Sequence, residues 1–159
     1  MQIRFAHQGQ VKVITKNKQA YYKYFIKEKF QAGICLKGFE VKAIKTGKIS
    51  LKGSYVRVEN REVFLKGANI PAYQPKNTPS GYNPTRARKL LLKKSEIKYL
   101  IGKTKEKGLT IAPLMVYTQK GKIKIEFGIV KQKSKPDKRE SIKKRALERE
   151  IKRQLKQRG

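Results

Sequence analysis

Residues 109–131 read LTIAPLMVYTQKGKIKIEFGIVK, and this stretch decides the fold class. Two apolar runs flank the polar residues 119–122. In the second run Lys122, Lys124 and Glu126 alternate with apolar residues. Successive side chains of a strand point to opposite faces, so this alternation is typical of a sheet with one buried and one solvent-facing side. We predict two strands here, and the second faces the core with Ile123, Ile125, Phe127 and Ile129.

Period-two patterns upstream of this pair predict further strands. Residues from Tyr22 to Leu36 alternate over a long stretch, and Gly33 marks a bend of the kind that strands make around a small barrel. Residues 55–58 and 63–65 alternate on both sides of a turn and predict a hairpin. Together these strands favour a small, mostly antiparallel barrel of the OB kind.

The other elements are helices and a loop. The segment GFEVKAIKTG, residues 38–47, has Glu40 near its start and Lys45 near its end, which is the charge order that a short helix prefers. A second helix is predicted from about Ser95 to Lys107. Residues 71–84 contain four prolines and predict a loop. The fold class is therefore mainly β with flanking helices (α+β), built on an OB-like barrel.

The net charge indicates the chemical class of the partner. The 159 residues include 41 Lys and Arg against 11 Asp and Glu, a formal charge of +30. Such an excess favours nucleic acid, because Lys and Arg that neutralise phosphates release counterions. A membrane is the weaker alternative, since the chain has no long apolar run and its basic segments lack a bulky apolar face. We expect a cytoplasmic protein with no membrane partner.

The chain ends with PDKRESIKKRALEREIKRQLKQRG, residues 136–159. These residues are mostly good helix formers, and Asp137 with Glu140 has the spacing of a capping pair. Leu147, Ile151 and Leu155 form a stripe too narrow for a protein core. Residues 131–159 contain 13 Lys and Arg against four Asp and Glu, a net charge of +9, which leaves +21 on the preceding residues. Because these like charges repel one another, we predict a tail that is disordered until bound.

Three regions follow from these patterns. They are an N-terminal arm and lead-in (1–16), an OB-like RNA-binding barrel (17–131) and a basic C-terminal tail (132–159).

Enzyme chemistry finds little support in the sequence. The TGKIS segment, residues 46–50, has the end of a phosphate loop, but position 42 is Lys where that loop requires Gly. Cys35 and His7 are each the sole residue of their type, so neither a disulfide nor a His or Cys metal cluster can form within the chain. We predict no catalytic residue, no metal and no cofactor.

Two segments carry features of RNA-binding proteins. In KNKQAYYKYFIKEKF, residues 16–30, the rings of Tyr21 and Phe25 either stack on unpaired bases or pack beside the core. In NPTRARKLLL, residues 83–92, Arg86, Arg88 and Lys89 either grip phosphates or mark the end of a helix whose basic side chains extend over core leucines.

Several collinear motifs resemble the small protein B (SmpB) family, which binds transfer-messenger RNA (tmRNA) in bacterial trans-translation. They are QAGICLKGFEVKAIKTGKISLKGSYVRVENREVFLKGANI, NPTRARKLLL (DPTRxRKLLL in the family), IGKTKEKGLTIAPL and DKRE. The resemblance spans about residues 17–145. It implies an adaptor with no bond-making activity, which binds the tRNA-like domain of tmRNA and brings it to stalled ribosomes.

The resemblance also implies site residues. Position 31, Leu91 and Lys124 match family contacts with tmRNA, and Asn17 and Lys18 are supporting residues at the barrel entrance; with Arg86, Arg88 and Lys89 they complete the predicted tmRNA site. This chain has Gln31 where the family usually has Glu, so an acceptor becomes an amide that also donates. It also has Pro136 where the family often has an aromatic residue or His able to stack on a base.

For the tail, the resemblance implies entry into the decoding centre and the empty mRNA channel, where it becomes helical against 16S and 23S rRNA. Elongation factor Tu and alanyl-tRNA synthetase are implied as indirect partners through alanyl-tmRNA. The rival hypothesis is a structural ribosomal protein whose basic tail threads permanently through rRNA. The predicted ribosome contacts are Lys131, Lys133, Lys135, Asp137, Lys138, Arg139, Glu140, Lys143, Lys144, Arg145, Lys152 and Arg153.

Overall fold

The computed structural model describes residues 10–158 of the chain, so His7 lies outside the described residues. The elements are β1 (Val11–Lys16), α1 (Lys18–Lys23), β2 (Tyr24–Ile34), α2 (Gly38–Lys45), β3 (Tyr55–Glu59), β4 (Glu62–Lys66), a single 3-10 turn (Pro75–Asn77), β5 (Arg88–Leu91), α3 (Lys94–Thr104), β6 (Leu109–Gln119), β7 (Lys122–Gln132) and α4 (Lys135–Arg158). The seven strands form one antiparallel sheet in the order β1-β6-β7-β2-β5-β4-β3.

Antiparallel strands with flanking helices confirm the predicted fold class. The sheet curls until β3 packs against β6, with α3 touching both strands. No ladder joins the two edge strands β1 and β3 within residues 10–158, so the sheet is not a closed barrel. The helix predicted at 38–47 and the hairpin at 55–65 are confirmed as α2 and β3–β4.

Two tight turns support the hairpins. At the β6–β7 turn, Lys120 and Gly121 have φ angles of 51° and 75°, and at the β3–β4 turn Asn60 and Arg61 have 49° and 62°. Two consecutive residues with positive φ are the mark of the turn that matches the twist of paired strands. The Leu109–Gln119 strand also bulges between Pro113 and Met115, and Pro113, which has no N–H to donate, sits at that irregularity.

The core lies mainly on one face of the sheet. It includes Phe30, Ile44, Leu65, Leu100 and Phe127, all fully or almost fully buried, so that α2 and α3 cover this face. A smaller cluster of Ala20, Ala112, Leu114 and Val130 lies beneath α1 on the opposite face. Because both faces are covered there, Glu126 is 2% exposed, and our expectation that it faces solvent is wrong.

The structure differs from the sequence interpretation at both ends of the sheet. Val11–Lys16, which we had placed in the arm, pairs with β6 as strand β1. Tyr22 lies in α1 rather than in β2, because the Asn17 side chain caps a short helix by accepting a hydrogen bond from the Ala20 amide. Residues 88–91, for which we considered the end of a helix, form β5 between β2 and β4.

The tail forms a 24-residue helix, whereas we expected it to be disordered until bound. Ser134 accounts for its start, since its hydroxyl donates to Asp137 Oδ2 at 2.6 Å and accepts from the Asp137 amide at 3.4 Å. The capping pair is therefore Ser134 with Asp137, not Asp137 with Glu140. Pro136 lies in the first turn, where its fixed φ suits a helix and its missing N–H costs no hydrogen bond.

Candidate nucleic-acid interface

An open groove of about 350 Å³ brings Leu91 and Lys124 together. We call it the central groove; its lining is Gly33, Ile34, Leu36, Val41, Leu91, Gly121, Lys122, Ile123 and Lys124. Gly33 is in register with Leu91 of β5 and with Lys124 of β7. Two residues 33 positions apart in sequence thus flank one glycine, which sequence spacing alone does not show.

Gly33 shapes the groove by having no side chain. A Cβ built on it would lie 3.3 Å from Leu91 Cδ1, so the Leu91 side chain rests almost on the backbone of β2. Leu91 is nevertheless 55% exposed. An exposed apolar surface beside lysines suits the sugar and base surfaces of RNA, while Lys122 and Lys124 suit its phosphates.

Gln31 lies on β2 two residues before Gly33 and pairs in register with Glu126 of β7. Glu126 is ion-paired to Lys29, with 3.4 Å between Nζ and Oε1. This places a buried carboxylate beneath the basic surface. Burial and the negative charge of Glu126 raise the pKa of Tyr117 to about 12, and the same two causes raise that of Tyr21. Both phenols therefore stay protonated and neutral near pH 7.

The prediction that Arg88 contacts a phosphate is wrong. Its side chain is fully buried: Nε donates to Glu40 Oε2 at 2.8 Å, and other guanidinium nitrogens donate to the carbonyls of Ala68 and Pro84 at 2.8 and 2.9 Å. Arg86 also binds Glu40 and is 27% exposed. Lys89 is exposed and lies 3.3 Å from Glu62. These arginines stabilise the start of β5 and thereby fix the position of Leu91.

Glu40 is the centre of this ion cluster. Burial alone would raise its pKa, but hydrogen bonds from Arg86, the Lys37 amide and Arg88, with the charge of Arg88, outweigh burial and lower the pKa to about 2. The carboxylate is therefore ionised at neutral pH. The sequence showed Glu40 only as a helix-start acid, and no pattern in the chain indicates that it pairs with residues more than 40 positions away.

Asn17 has mainly a structural role. Its Oδ1 caps α1, its Nδ2 donates to the Pro113 carbonyl at 2.9 Å, and its backbone N–H donates to the Leu114 carbonyl at 2.7 Å. Lys18 follows it and is exposed at the edge of a second groove of about 750 Å³, the tail groove. The lining of the tail groove comes from the α1 region and α4: Lys16, Lys18, Tyr21, Phe25, Lys133, Asp137, Glu140, Ser141, Lys144, Arg145 and Glu148.

Lys133 connects the tail to the sheet. Its Nζ donates to Ser141 Oγ at 2.7 Å and to the Tyr21 carbonyl at 3.3 Å, and it lies 5.2 Å from the centre of the Phe25 ring. Its backbone amide donates to the Lys23 carbonyl at 2.8 Å. The predicted ribosome contact at this position is thus largely occupied by contacts within the protein.

Most of the other predicted tail contacts are accessible. Asp137, Lys138 and Arg145 are half-buried, and the remaining ones on α4 are exposed. Arg153 lies 2.7 Å from Glu150 one turn away. The apolar side chains of the helix are exposed as well: Ile142 by 49%, Leu147 by 62%, Ile151 by 48% and Leu155 by 64%.

The family model described as SmpB protein matches residues 14–157 of this chain. The chain belongs to the SmpB family. Among its relatives, the SsrA-binding protein of Geobacillus kaustophilus is 46% identical over 94% of this chain and 96% of its own length. That of Acetivibrio thermocellus is 49% identical over 92% of this chain and 94% of its own length. SmpB membership thus rests on nearly the whole chain.

A solved structure agrees with this membership. A chain from "tmRNA-SmpB: a journey to the center of the bacterial ribosome" matches with a TM-score of 0.63 and 38% identity, covering 80% of this chain and 93% of that one. The curled sheet with its flanking helices is therefore an SmpB fold. Across residues 10–158, no helix is long and apolar enough to cross a membrane.

Proposed function

We propose that this protein is an RNA-binding adaptor that binds the tRNA-like domain of tmRNA and delivers it to stalled ribosomes for trans-translation. The observation that carries the proposal is the central groove, where Leu91 and Lys124 meet across Gly33 in a chain of the SmpB family. Its relatives are named for binding SsrA RNA, and the matching solved structure concerns tmRNA, SmpB and the ribosome. The adaptor performs no bond-making step.

The tail supplies the ribosomal half of the proposal. Helix α4 presents basic side chains on most of its surface, as a segment surrounded by rRNA phosphates would require. We assign its partners as 16S and 23S rRNA at the decoding centre and the empty mRNA channel. Elongation factor Tu and alanyl-tRNA synthetase act with this protein indirectly, through the alanylated RNA, and the site of action is the cytoplasm.

The central groove is tested by Lys124→Ala and Leu91→Ala. With the purified tRNA-like domain of tmRNA, Lys124→Ala should weaken binding by about tenfold and reduce the salt slope by about 0.7 to 0.9, as loss of one phosphate contact requires. Leu91→Ala should weaken binding without changing that slope, because it removes only apolar contact. Electrophoretic mobility shifts between 50 and 300 mM salt measure both effects.

Lys45→Ala is the matched control for Lys124→Ala, since Lys45 is exposed on α2 and outside the lining of the central groove. It should change affinity by less than about twofold. An unchanged affinity and slope in Lys124→Ala would contradict the assigned contact.

A further inference from the structure

Besides the central groove and the tail groove, a third depression lies beside helix α2. Gly38, Phe39 and Lys42 of α2 line it together with Tyr73, Gln74, Asn77 and Thr78 of the proline-rich loop, and its volume is about 310 Å³. We call it the α2 slot. Leu36 and Val41 line the central groove, so the two depressions are separated by little more than the width of one helix, roughly 10 Å.

The walls of the slot are fixed in position. The Tyr82 hydroxyl lies 2.8 Å from the Ile70 carbonyl and 3.0 Å from Glu40 Oε2, and its ring meets the Phe39 ring edge-on at 4.8 Å. Within the loop, the Thr78 hydroxyl and the Asn77 amide donate to the Gln74 carbonyl at 2.8 and 2.9 Å. The loop that our sequence interpretation left without a role is thus held against α2 as a formed wall.

The slot combines three kinds of chemistry. Phe39 and Tyr73 are half-buried aromatic residues, and Lys42 is an exposed cation. In the side chains, Asn77 Nδ2 donates to Gln74 Oε1 at 2.8 Å. The hydrogens on Gln74 Nε2 and the oxygen Oδ1 of Asn77 can then form hydrogen bonds with a ligand. An aromatic surface, an adjacent donor and acceptor, and a positive charge are what a base, its polar edge and its phosphate require.

We infer that the α2 slot holds the base of an unpaired nucleotide, with its phosphate against Lys42, in the same RNA that occupies the central groove. The inference rests on the proposed function, because it requires that the chain bind RNA. The net charge of +30 favours an anionic ligand, and a volume of about 310 Å³ is at the lower end of the range for small-ligand sites, which suits a single base.

The test uses the full-length protein with two probes, a fluorescein-labelled single-stranded RNA 12-mer and the blunt duplex of the same 12-mer. Tyr73→Ala should lower the single-strand affinity by about fivefold or more and leave the duplex affinity unchanged, since only an unpaired base can stack. Gln74→Ala should lower the single-strand affinity by a smaller factor. Fluorescence anisotropy at one fixed salt concentration gives all the affinities.

Two further variants make the result decisive. Gln74 is exposed, so Gln74→Ala tests the slot even if Tyr73→Ala fails to fold. Tyr55→Ala removes a tyrosine of β3 that is 46% exposed and outside the slot, and it should leave both affinities unchanged. The inference is overturned if the slot variants bind single strands like the wild type, or if they lose single-strand and duplex binding equally.

Photocrosslinking gives an independent readout. A 4-thiouridine-substituted single-stranded 12-mer should crosslink to the tryptic peptides of residues 38–42 or 67–76, and crosslinks confined to other peptides would overturn the inference. If the wild type does not bind the tRNA-like domain of tmRNA, the proposed function fails. If it binds that domain and the slot variants behave like the wild type, only the slot assignment fails.

Discussion

Gly128 lets strands β2 and β7 approach each other where β2 bulges. A Cβ on this residue would lie 2.7 Å from the Glu28 carbonyl oxygen, closer than real Cβ contacts allow, with Ile26 and Leu114 side chains at 3.3 Å. The neighbouring backbone cannot yield as a flexible side chain could. Gly128 does not have the positive φ angle found at the turn glycines. The sheet therefore requires glycine here because a side chain would not fit, and not because of the backbone conformation.

We predict that Gly128→Ala lowers the free energy of unfolding by about 1 to 3 kcal/mol, the usual cost of overpacking. The matched control is Gly102→Ala in α3, where a Cβ meets open space. That change should raise stability by about 0.5 to 1 kcal/mol, because alanine is the better helix residue. Urea unfolding of both variants measures the effects, and a Gly128→Ala variant as stable as the wild type would contradict the close approach.

Glu40 gives the fold a pH dependence. Its pKa falls from 4.5 when unfolded to about 2 when folded, so the stabilisation is present above pH 4.5 and is lost as pH falls toward 2. By linkage the loss is about 3 kcal/mol. As the pH is lowered from 4.5 to 2, the urea midpoint of Glu40→Gln should fall less steeply than that of the wild type. At pH 7 the free energy of unfolding of Glu40→Gln should be lower by about 3 to 5 kcal/mol.

Glu62→Gln is the comparison for Glu40→Gln, because Glu62 belongs to an exposed ion pair with Lys89. Its effect at pH 7 should stay below about 1 kcal/mol. Equal pH profiles for Glu40→Gln and the wild type would show that the buried cluster does not control acid stability.

The direction of helix α4 depends on how its first turns are attached to the body of the protein. Lys133 binds Ser141 of the helix, the Tyr21 carbonyl of α1 and the Phe25 ring of β2. One side chain thus ties the second turn of α4 to the body of the protein. The rest of α4 extends with its apolar side chains exposed, which leaves it available to surfaces outside the chain.

Lys133→Ala should release α4 from the body. Because the change removes two hydrogen bonds and a cation–π contact, amide hydrogen exchange in residues 138–142 should speed up by roughly 5- to 30-fold. Lys131→Ala is the control, since Lys131 is exposed and two positions away, and its exchange should match the wild type. Unchanged exchange in Lys133→Ala would mean that other contacts hold the helix.

The elements that the sequence predicted correctly are those whose pattern is local. Strand β7, the β3–β4 hairpin and helix α2 follow from alternation, turn residues and end charges. Strand β5 was not predicted, because polar and apolar residues do not alternate in its sequence RKLL. Arg88 points into the core like an apolar residue, and it can do so because its charge is paired with Glu40. The prediction that Glu126 faces solvent also failed because of a residue's distant neighbours, since α1 covers the second face of the sheet.

Both the body and the tail of the whole molecule carry an excess of positive charge. A net +21 lies on residues 1–130 and +9 on residues 131–159. The body presents the central groove and the α2 slot on neighbouring faces of α2, whereas α4 leaves from the side of α1. The adaptor that we propose would use this separation to bind the RNA that it carries and the ribosomal RNA at its tail at the same time.

If this protein carries tmRNA, sequencing the RNA that copurifies with the affinity-tagged full-length chain from its own cells will reveal it. We expect one abundant tRNA-like species, tmRNA, enriched far above its share of total RNA and depleted when the tagged chain carries Leu91→Ala with Lys124→Ala. Ribosomal RNA alone, with no enrichment of tmRNA, would contradict tmRNA binding and favour a structural ribosomal protein.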